Sequence, residues 1–507
     1  MPMIQSWRGR SISNWFNIRV IIAAYLILGA VYSVASPIFE GPDESNHFFV
    51  IQSIHETGRL PVQDSATSTL YRQEGSQPPL YYLAGAMLIS GIDVSAASEY
   101  VRSNPQVNIG SPGSPNNKNH YIHTSREDFP YHDTPLAVHL LRGLSIGLGL
   151  ITISMTYALA RLLFPDRKSV ALVAAMLVAF NPQFIYLSAA VNNDNAINAL
   201  AACSLYLLAR LWRGDRSWRV LLALAVSLGL AVIAKLGGLI LLGFSVVVIG
   251  YLAVKQRDWR WGGRSVFVVG AAVAVIGGWW FIRNVQLYGD PTGLSAMLKL
   301  LDGRTTEVTV AQMISELPSL WFSFWGVFGW FNIQLPDWAF GIYAVVVVGA
   351  LLSGGLALRR VREYDWRQLE PILALAGWVG LVFVGLIRYE MMLKAFQGRL
   401  LFSAMPALAI LLALGAMRWL ERSGSRGLIG FAVVLFAIAA WTPVGVIAPA
   451  YAQPLKISLA DIPGEVKRID IDFNDTVRLI GGYVEPRTIQ TGDFVTIKLY
   501  WQALRQP

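Results

Sequence analysis

The sequence has few of the charged residues that a soluble enzyme needs. Only 14% of its 507 residues are charged, whereas 54% are hydrophobic, and the mean hydropathy is +0.47. Soluble domains carry about a quarter of their residues as charges, so this composition excludes an ordinary soluble protein. It predicts a chain that lies in lipid.

Cysteine and the common catalytic motifs are also scarce. Cys203 is the single cysteine and lies within an apolar run, so the chain can form neither an intrachain disulfide nor a thiolate metal cage. The patterns GxGxxG, Walker A, HExxH and GxSxG do not occur in the context that their chemistry requires. These absences argue against redox chemistry, zinc proteolysis, serine hydrolysis and a soluble nucleotide-sugar donor.

Long apolar runs are abundant instead. A helix needs about 20 residues to cross a hydrocarbon core of roughly 30 Å. We predict about eleven spans on this basis, at residues 18–36, 136–160, 169–187, 194–210, 219–234, 236–254, 265–283, 338–358, 370–387, 400–418 and 427–448.

The basic residues collect between these segments. Clusters lie at Arg8/Arg10/Arg19, Arg161/Arg167/Lys168, Arg210/Arg213/Arg216/Arg219, Lys255/Arg257/Arg260/Arg264, Arg359/Arg360/Arg362/Arg367 and Arg418/Arg422/Arg426. With eleven crossings, every cluster falls on one side, which the positive-inside rule assigns to the cytoplasm. The formal charge of +9 is therefore read as topological, with membrane lipid and not nucleic acid as the partner. The N-terminus is expected in the cytoplasm and the C-terminus outside.

The domain prediction follows from this topology. Residues 1–450 are expected to form an all-α polytopic membrane domain, with external loops at 37–134 and 284–337. Segments 43–58 and 78–91 of the acidic first loop have helix-like apolar spacing and predict interfacial helices. Residues 451–507 alternate in polarity and predict a short external β-segment, with a turn at PRTIQTGD. Because two or three strands are marginal alone, this segment packs on the membrane domain, pairs with a partner, or is a shortened part of a larger sheet.

The strongest candidate for chemistry is EGPDESNH, directly after the first span. Adjacent residues on a helix point about 100° apart, so Asp43 and Glu44 can have different duties. Asp43 is the candidate general base, and the alternative is a helix N-cap. His47, one turn later, is a candidate for phosphate or metal binding, although a lone histidine is more often simply hydrogen-bonded.

A second polar turn and several cations are expected on the same side. Asn192 and Asp194 in VNNDN either line the same site or cap a helix. A phosphate ligand needs cations, for which Lys235, Arg283 and Arg399 are candidates. Arg388 and Lys394 are read instead as snorkelling to lipid headgroups.

Five segments in order resemble bacterial relatives of the GT-C membrane glycosyltransferases, near the protein O-mannosyltransferase, aminoarabinose-transferase and DUF2142-like group. They are GPDESNHF, SQPPLYYLAG, FNPQFIYLSAAVNNDN, WWFIRNVQLYGDPTG and QGRLLFSAMPALAILLALG. The resemblance covers nearly the whole membrane region, and the tail resembles the start of a β-domain that stops early here.

The resemblance implies an inverting transferase in a bacterial inner membrane, with a polyprenyl-phosphate sugar as donor. Its acceptor would be a glycan, a lipid or a protein. Asp43 would activate the acceptor with Glu44 supporting it, and the other matched motif residues, Tyr81, Asn284 and Gln397 among them, would bind substrate. No cofactor is required, and the acidic motif does not by itself define ligands for a divalent cation.

Two other functions remain open at this stage. A transporter or lipid flippase would explain the spans, but not the long acidic first loop or the concentration of polar candidates on one face. A non-catalytic assembly subunit would use the β-segment to bind envelope partners.

Overall fold

The structure is a computed structural model. It describes residues 17–64, 66–113, 118–301, 304, 308–358, 366–394, 396–452, 456–485 and 495–505. The chain divides into two compact units, Met1–Tyr451 and Ala452–Pro507. The predicted turn at PRTIQTGD and several of the predicted basic residues, including Arg8, Arg10 and Arg359, lie outside the described residues.

The first unit is built from helices. In chain order they are α1 (Ile18–Ala35), α2 (Glu44–Thr57), α3 (Leu80–Leu88), α4 (Asp133–Leu163), α5 (Lys168–Ala179), α6 (Pro182–Ser188), α7 (Asp194–Trp212), α8 (Trp218–Val232), α9 (Gly237–Lys255), α10 (Trp259–Tyr288), α11 (Leu294–Leu298), α12 (Val310–Trp325), α13 (Asp337–Leu358), α14 (Trp366–Glu390), α15 (Met405–Leu420), α16 (Gly424–Thr442) and α17 (Ala448–Ala450). The predicted polytopic all-α class is confirmed.

All eleven predicted spans are helical, but they differ as membrane-crossing candidates. Within the described residues, seven continuous helical runs are long and apolar enough to cross a membrane, or eight if the bent pair α5–α6 is one span. The run Gly398–Ala450 contains two of the predicted spans. The remaining two are α7 and the 15-residue α8. The number eleven therefore stays a prediction.

The predicted span 169–187 is helical at both ends but is not one continuous helix. It breaks after α5 and bends by 62° into α6. The side chain of Asn181 accepts a hydrogen bond from the Phe184 N–H, and Pro182 occupies the first turn of α6. A capping asparagine followed by proline starts a new helix, which is why the apolar run bends.

The core of this unit surrounds α5, in which every residue of Val170–Ala179 is buried. A helix that is apolar on all sides belongs in the interior, and α4, α15 and α1 pack around it. Small residues permit close helix contacts: a Cβ on Gly415 of α15 would lie 2.2 Å from the Ala350 carbonyl oxygen of α13. This packing leaves the helix ends to carry the polar residues.

The two predicted external loops contain more structure than expected. The first holds α2 and α3, close to the predicted interfacial segments. The second holds α11, α12 and a short antiparallel hairpin of β1 (Val327–Phe328) and β2 (Ile333–Gln334), which were not predicted. Its aromatic run was expected at the membrane interface, yet Trp325 and Phe328 are buried in the protein core.

The second unit contains an antiparallel sheet of β3 (Lys467–Phe473), β4 (Val477–Glu485) and β5 (Thr496–Ala503), in that spatial order. Val477 pairs with Ala503 and Glu485 with Thr496. The rings of Phe473 and Trp501 meet on one face at 5.5 Å between centroids. The expected β-segment is thus a three-stranded sheet in the described residues.

Candidate functional site

Four turns at one end of the helix bundle contribute charged side chains to one site. Asp43 precedes α2, Asp194 begins α7, Lys235 lies between α8 and α9, and Arg399 lies in the 3-10 helix Gly398–Ala404 that follows α14. The pairs Asp43–Arg399 and Asp194–Lys235 are salt-bridged. The structure therefore joins candidates that are up to 356 positions apart in the chain.

The backbone at Asp43 explains why its carboxylate is available. Asp43 occupies the N-cap position of α2, with φ 59° and ψ 8°, in the left-handed region, and its side chain makes no capping hydrogen bond. Aspartate is one of the few residues that adopts this conformation readily. The alternative role of a side-chain helix cap is thus contradicted, because the carboxylate bonds to Arg399 instead.

The Asp43–Arg399 bond is single and partly open. Arg399 Nη2 donates to Asp43 Oδ2 at 2.7 Å, and the two side chains are 10% and 27% exposed. The side-chain amide oxygen Oε1 of Gln397 accepts from Arg399 Nε at 2.6 Å and orients the guanidinium. Gly398 lets this turn approach α12, because a Cβ there would lie 2.3 Å from the Phe324 nitrogen.

Asp194 and Lys235 form a second ion pair beside the first. The Asp194 carboxylate is 6% exposed and the Lys235 ammonium is 27% exposed. Asn192 Oδ1 accepts from the Asp194 N–H at 2.8 Å, so Asn192 shapes the turn before α7. The capping role considered for this turn therefore describes Asn192, whereas Asp194 faces the cation.

These cations change the acidity of Asp43. Burial opposes ionisation, but the positive charge of Arg399, together with that of Lys235, outweighs it and holds the pKa of Asp43 below its ordinary value. Asp43 is therefore ionised at neutral pH. A carboxylate in this state accepts protons and does not donate them.

A network around His47 adjoins this site and contains residues that the motifs did not single out. His47 Nδ1 lies 2.8 Å from the Tyr82 hydroxyl and 3.5 Å from Glu74 Oε2. The amide of Asn193 donates to the Tyr82 hydroxyl at 3.2 Å.

Protonation of this network is set mainly by burial. Burial lowers the pKa of His47 to about 4. Burial and the nearby charge of Asp43 raise the pKa of Glu74 to about 8. Near neutral pH the 3.5 Å contact therefore joins a neutral imidazole to a protonated carboxyl, and is not an ion pair.

Glu44 points away from Asp43 and into the protein. Its two carboxylate oxygens accept from Arg142 Nε at 2.8 Å and Nη2 at 2.7 Å, and both side chains are at most 1% exposed. Glu44 Oε1 also accepts from the Val191 N–H at 2.9 Å. Arg142 donates further to the carbonyl oxygens of Ser33, Ser36 and Pro37, so this pair closes the end of α1. Glu44 is fully buried, so it can position the neighbouring helices but cannot contact a substrate.

Glu40 connects the same turn to the end of the first loop. Its Oε1 accepts from the N–H groups of His120 and Tyr121 at 2.7 and 3.0 Å, and from His123 Nε2 at 2.9 Å. Burial opposes protonation of His123, but its bonds to Glu127 and Glu40 prevail and raise its pKa to about 9. A cationic His123 thus fixes the loop against the turn that carries Asp43.

Three other predicted residues lie outside the charged cluster. The Tyr81 hydroxyl is 2.7 Å from Ser145 Oγ in the core. Arg283 Nη2 donates to the carbonyl oxygens of Pro61 and Leu60 at 2.7 and 3.3 Å. The Asn284 amide donates to the Pro291 carbonyl at 3.1 Å. The contacts of Arg283 and Asn284 hold loops. The Tyr81 hydroxyl joins α3 to α4 and also accepts from the Asn192 N–H at 3.3 Å, at the turn before α7.

Metal binding receives no support from clustering: no group of three His, Cys, Asp or Glu side chains with ligand geometry occurs among the described residues.

Two residues of the site were not proposed from the sequence. Tyr82 lies inside the segment SQPPLYYLAG, and Glu74 lies just before it. Tyr81 and Tyr82 are adjacent on α3, so only the orientation of that helix in the structure shows which of the two contacts His47. The sequence does not give this orientation.

Comparisons with known proteins agree with this architecture. Residues 140–280 match the model of the family described as dolichyl-phosphate-mannose-protein mannosyltransferase. ArnT from Cupriavidus metallidurans, bound to undecaprenyl phosphate, is similar in structure with a TM-score of 0.51 and 17% identity, over 84% of this chain and 65% of that one. The chain shares its fold with ArnT, and its segment 140–280 resembles the mannosyltransferase family. The predicted GT-C resemblance and the multi-pass membrane architecture are confirmed.

Other solved structures are also similar to this chain. The chain matches apo ArnT with a TM-score of 0.50 and 16% identity, over 86% of this chain and 73% of that one. It matches the apo oligosaccharyltransferase of Archaeoglobus fulgidus with a TM-score of 0.40 and 13% identity, over 87% and 56% of the two chains. It spans 65% of the length of the lipid-bound ArnT chain. No curated protein matches it significantly.

Proposed function

We propose that this GT-C protein transfers a sugar from a polyprenyl-phosphate-linked donor to an acceptor hydroxyl, with inversion at the sugar carbon. Asp43 is the general base, and Arg399 with Lys235 binds the donor phosphate. The observation that supports this proposal most strongly is the 2.7 Å bond between the Asp43 carboxylate and the Arg399 guanidinium. ArnT, whose fold this chain resembles, holds undecaprenyl phosphate, a polyprenyl phosphate.

The reaction balances with these groups alone. Asp43 takes the proton of the acceptor hydroxyl as its oxygen attacks the anomeric carbon of the sugar from the face opposite the phosphate. The bond from that carbon to the phosphate oxygen breaks, and the lipid phosphate leaves with the electron pair. Arg399 and Lys235 stabilise the charge that collects on the departing phosphate.

Donor binding also adjusts the base. Arg399 is bonded to Asp43 and lowers its pKa. A donor phosphate competes for the same guanidinium, and its negative charge cancels the field of Arg399 and Lys235 at Asp43. The pKa of Asp43 then rises, so the carboxylate becomes a stronger base when the donor is in place.

Glu44, Gln397 and Asn192 act as positioning residues in this proposal. Glu44 fixes the start of α2 through Arg142, Gln397 orients Arg399, and Asn192 shapes the turn that carries Asp194. His47 borders the donor pocket as a neutral hydrogen-bonding group. Tyr81, Arg283 and Asn284 contribute by holding the surrounding loops.

The placement in the cell rests on the charge distribution of the sequence. We propose a bacterial inner membrane, with the N-terminus in the cytoplasm and the site at the external face, because the basic clusters fall between the opposite helix ends. The acceptor is a glycan, a lipid or a protein hydroxyl on that side. The domain assignment, 1–450 in the membrane and 451–507 outside, belongs to the same proposal.

The test is sugar transfer by the purified chain in proteoliposomes supplied with a panel of polyprenyl-phosphate sugars and envelope acceptors. Asp43→Asn should lower turnover about 10²- to 10⁴-fold, the usual contribution of a general base, while donor binding persists. The matched control is Asp93→Asn: Asp93 is exposed after α3 and accepts from the Ser95 N–H, a bond that asparagine keeps.

Two outcomes would overturn the proposal. Turnover by Asp43→Asn equal to that of Asp93→Asn would remove the base. Donor binding and translocation by the wild type, without transfer to any acceptor in the panel, would instead support the transporter or flippase function.

A further inference from the structure

A cavity of about 600 Å³ lies at the opposite end of the bundle from Asp43, where α7 ends and α8 begins. Arg210 of α7 and Arg219 of α8 line its polar side, and Leu207 and Ala223 line its apolar side. None of these residues belongs to the site described above. The cavity therefore needs an occupant with both an anionic and an apolar part.

The arginines around this cavity differ in their salt-bridge and hydrogen-bond partners. Arg210 is salt-bridged to Asp215, and Arg216 Nη1 bonds to Asp258 Oδ2 at 2.9 Å. Arg213 donates to the carbonyl oxygens of Leu162 and Leu163 at the end of α4. Arg219 is exposed and has no salt-bridge partner in the described part of the chain. One guanidinium at the cavity is thus open to an external anion.

Trp218 lies at the rim of the cavity, and its ring is in contact with a further cation, Arg264. Its indole is 49% exposed, and the guanidinium of Arg264 from α10 stacks over it at 5.2 Å from the ring centroid. Trp side chains with one wet and one apolar edge favour the boundary between headgroups and acyl chains. The rim therefore combines an interfacial aromatic residue with positive charge on both sides.

An exposed apolar stripe runs from this rim along α8. Trp218, Leu222 and Val226 recur every four residues and are 49%, 44% and 39% exposed. At 1.5 Å per residue, the stripe from Trp218 to Val226 is about 12 Å long. Its length and direction suit a hydrocarbon chain whose polar end lies beside Arg219.

We infer that this cavity binds an anionic phospholipid of the surrounding bilayer. The headgroup phosphate bonds to Arg219, with Arg210 and Arg264 adding positive potential, and an acyl chain lies on the Leu222–Val226 stripe. Charge complementarity excludes a zwitterionic lipid as the preferred occupant, because Arg219 would face its cationic group as well as its phosphate. The apolar stripe favours a lipid over a soluble phosphate compound.

Native mass spectrometry of the purified full chain tests this inference directly. The protein is titrated with dioleoylphosphatidylglycerol and with dioleoylphosphatidylcholine, which share acyl chains and differ in net charge. We expect the wild type to bind the anionic lipid more tightly. Arg219→Gln should weaken that binding about fivefold, the effect of one arginine near an anionic headgroup, and leave the zwitterionic lipid unchanged.

Two further variants make the result specific. Arg422→Gln removes the same charge from an exposed position outside the cavity, and should change neither affinity. Trp218→Ala removes the start of the stripe, and should weaken both lipids equally. Size-exclusion profiles matching the wild type would show that each variant is folded.

Three results would overturn the inference. One is equal affinity of the wild type for the two lipids, and another is an equal loss of anionic-lipid binding in Arg219→Gln and Arg422→Gln. The third is displacement of the anionic lipid by millimolar inorganic phosphate, which would make the cavity a site for soluble anions.

Discussion

Asp43 and Glu44 are neighbours in the chain, yet each pairs with its own arginine in a different environment. The Glu44–Arg142 pair is at most 1% exposed, bidentate, and completed by backbone groups on both sides. The Asp43–Arg399 pair is joined by one bond and is 27% and 10% exposed. The Glu44–Arg142 pair, called the closed pair below, has its hydrogen-bonding groups already occupied by protein atoms. It can hold helices together but cannot bind a substrate. The Asp43–Arg399 pair, called the open pair below, can exchange one partner, because Arg399 can bond to a phosphate in place of Asp43.

The conformation of one residue produces this division. The left-handed backbone at Asp43 turns its side chain away from the helix that follows, while Glu44 begins that helix and faces the interior. Paired acids in a sequence are therefore not equivalent candidates for catalysis. Each prediction below tests the contrast between the closed pair and the open site.

The largest effect on stability is expected from the closed pair. Glu44→Gln leaves the buried charge of Arg142 without its counter-ion, which typically costs about 3–5 kcal/mol. Thermal unfolding in detergent should show a much lower Tm than the wild type, with loss of activity through misfolding. Asp43→Asn, at the partly exposed pair, should keep a Tm near that of the wild type. Equal Tm losses in the two variants would contradict the contrast.

The next effect separates the two arginines that the sequence offered for the donor phosphate. Arg399→Lys keeps the charge but loses the planar fork, and we expect kcat/KM to fall at least about tenfold, the value of one charge-assisted hydrogen bond. The conservative control, Arg283→Lys, alters a contact with backbone carbonyls and should lower kcat/KM about threefold or less. Steady-state kinetics on both variants measures this difference. A larger loss in Arg283→Lys would move the phosphate site to α10.

The smallest expected effect is a pH dependence of stability that is caused by Glu74 and His47, which adjoin the Asp43–Arg399 pair. The pKa of Glu74 is raised from 4.5 to about 8, so the folded state binds an extra proton between these values and stability falls as the pH rises. The pKa of His47 is lowered from 6.5 to about 4, which gives the opposite slope in that window. The two slopes cancel from about pH 4.5 to 6.5. From about pH 6.5 to 8, Glu74 lowers stability together with His123, whose pKa is raised from 6.5 to about 9.

Thermal unfolding across pH 6.5 to 8 should therefore show a declining Tm for the wild type and a flatter curve for Glu74→Gln, whose amide stays neutral. Glu56→Gln, which changes an exposed glutamate of α2 that accepts a hydrogen bond from Gln52, serves as the matched control and should keep the wild-type slope. The same slope in wild type and Glu74→Gln would show that Glu74 titrates normally.

Much of the architecture could be read from residue order because it depends on local patterns. The apolar runs predicted the helices of all eleven proposed spans but not α12, and the segments 43–58 and 78–91 anticipated α2 and α3 within a few residues. The break at Asn181-Pro182 was missed because the apolar run continues through it, although its capping signal is local. The hairpin of β1 and β2 was missed because two-residue strands leave no periodicity.

The site was only partly predictable. Asp43, Asp194, Gln397 and Arg399 were proposed from their motifs and Lys235 from its place in a short external turn, and the structure brings them together. Arg283 was an equal candidate, yet it bonds to loop carbonyls. Glu74 and Tyr82 were not proposed, since a carboxyl and a phenol become informative only when burial shifts the pKa of one and a histidine contacts the other.

Hydropathy, charge placement and the motif order by themselves determined the class of this protein, because lipid imposes helix length and hydrogen-bond closure on every segment that enters it. Only the tertiary structure decided which of two adjacent acids meets Arg399 and which is enclosed with Arg142. Those pairings join turns far apart in the chain, and their geometry follows from helix packing and one backbone conformation, which no local pattern specifies.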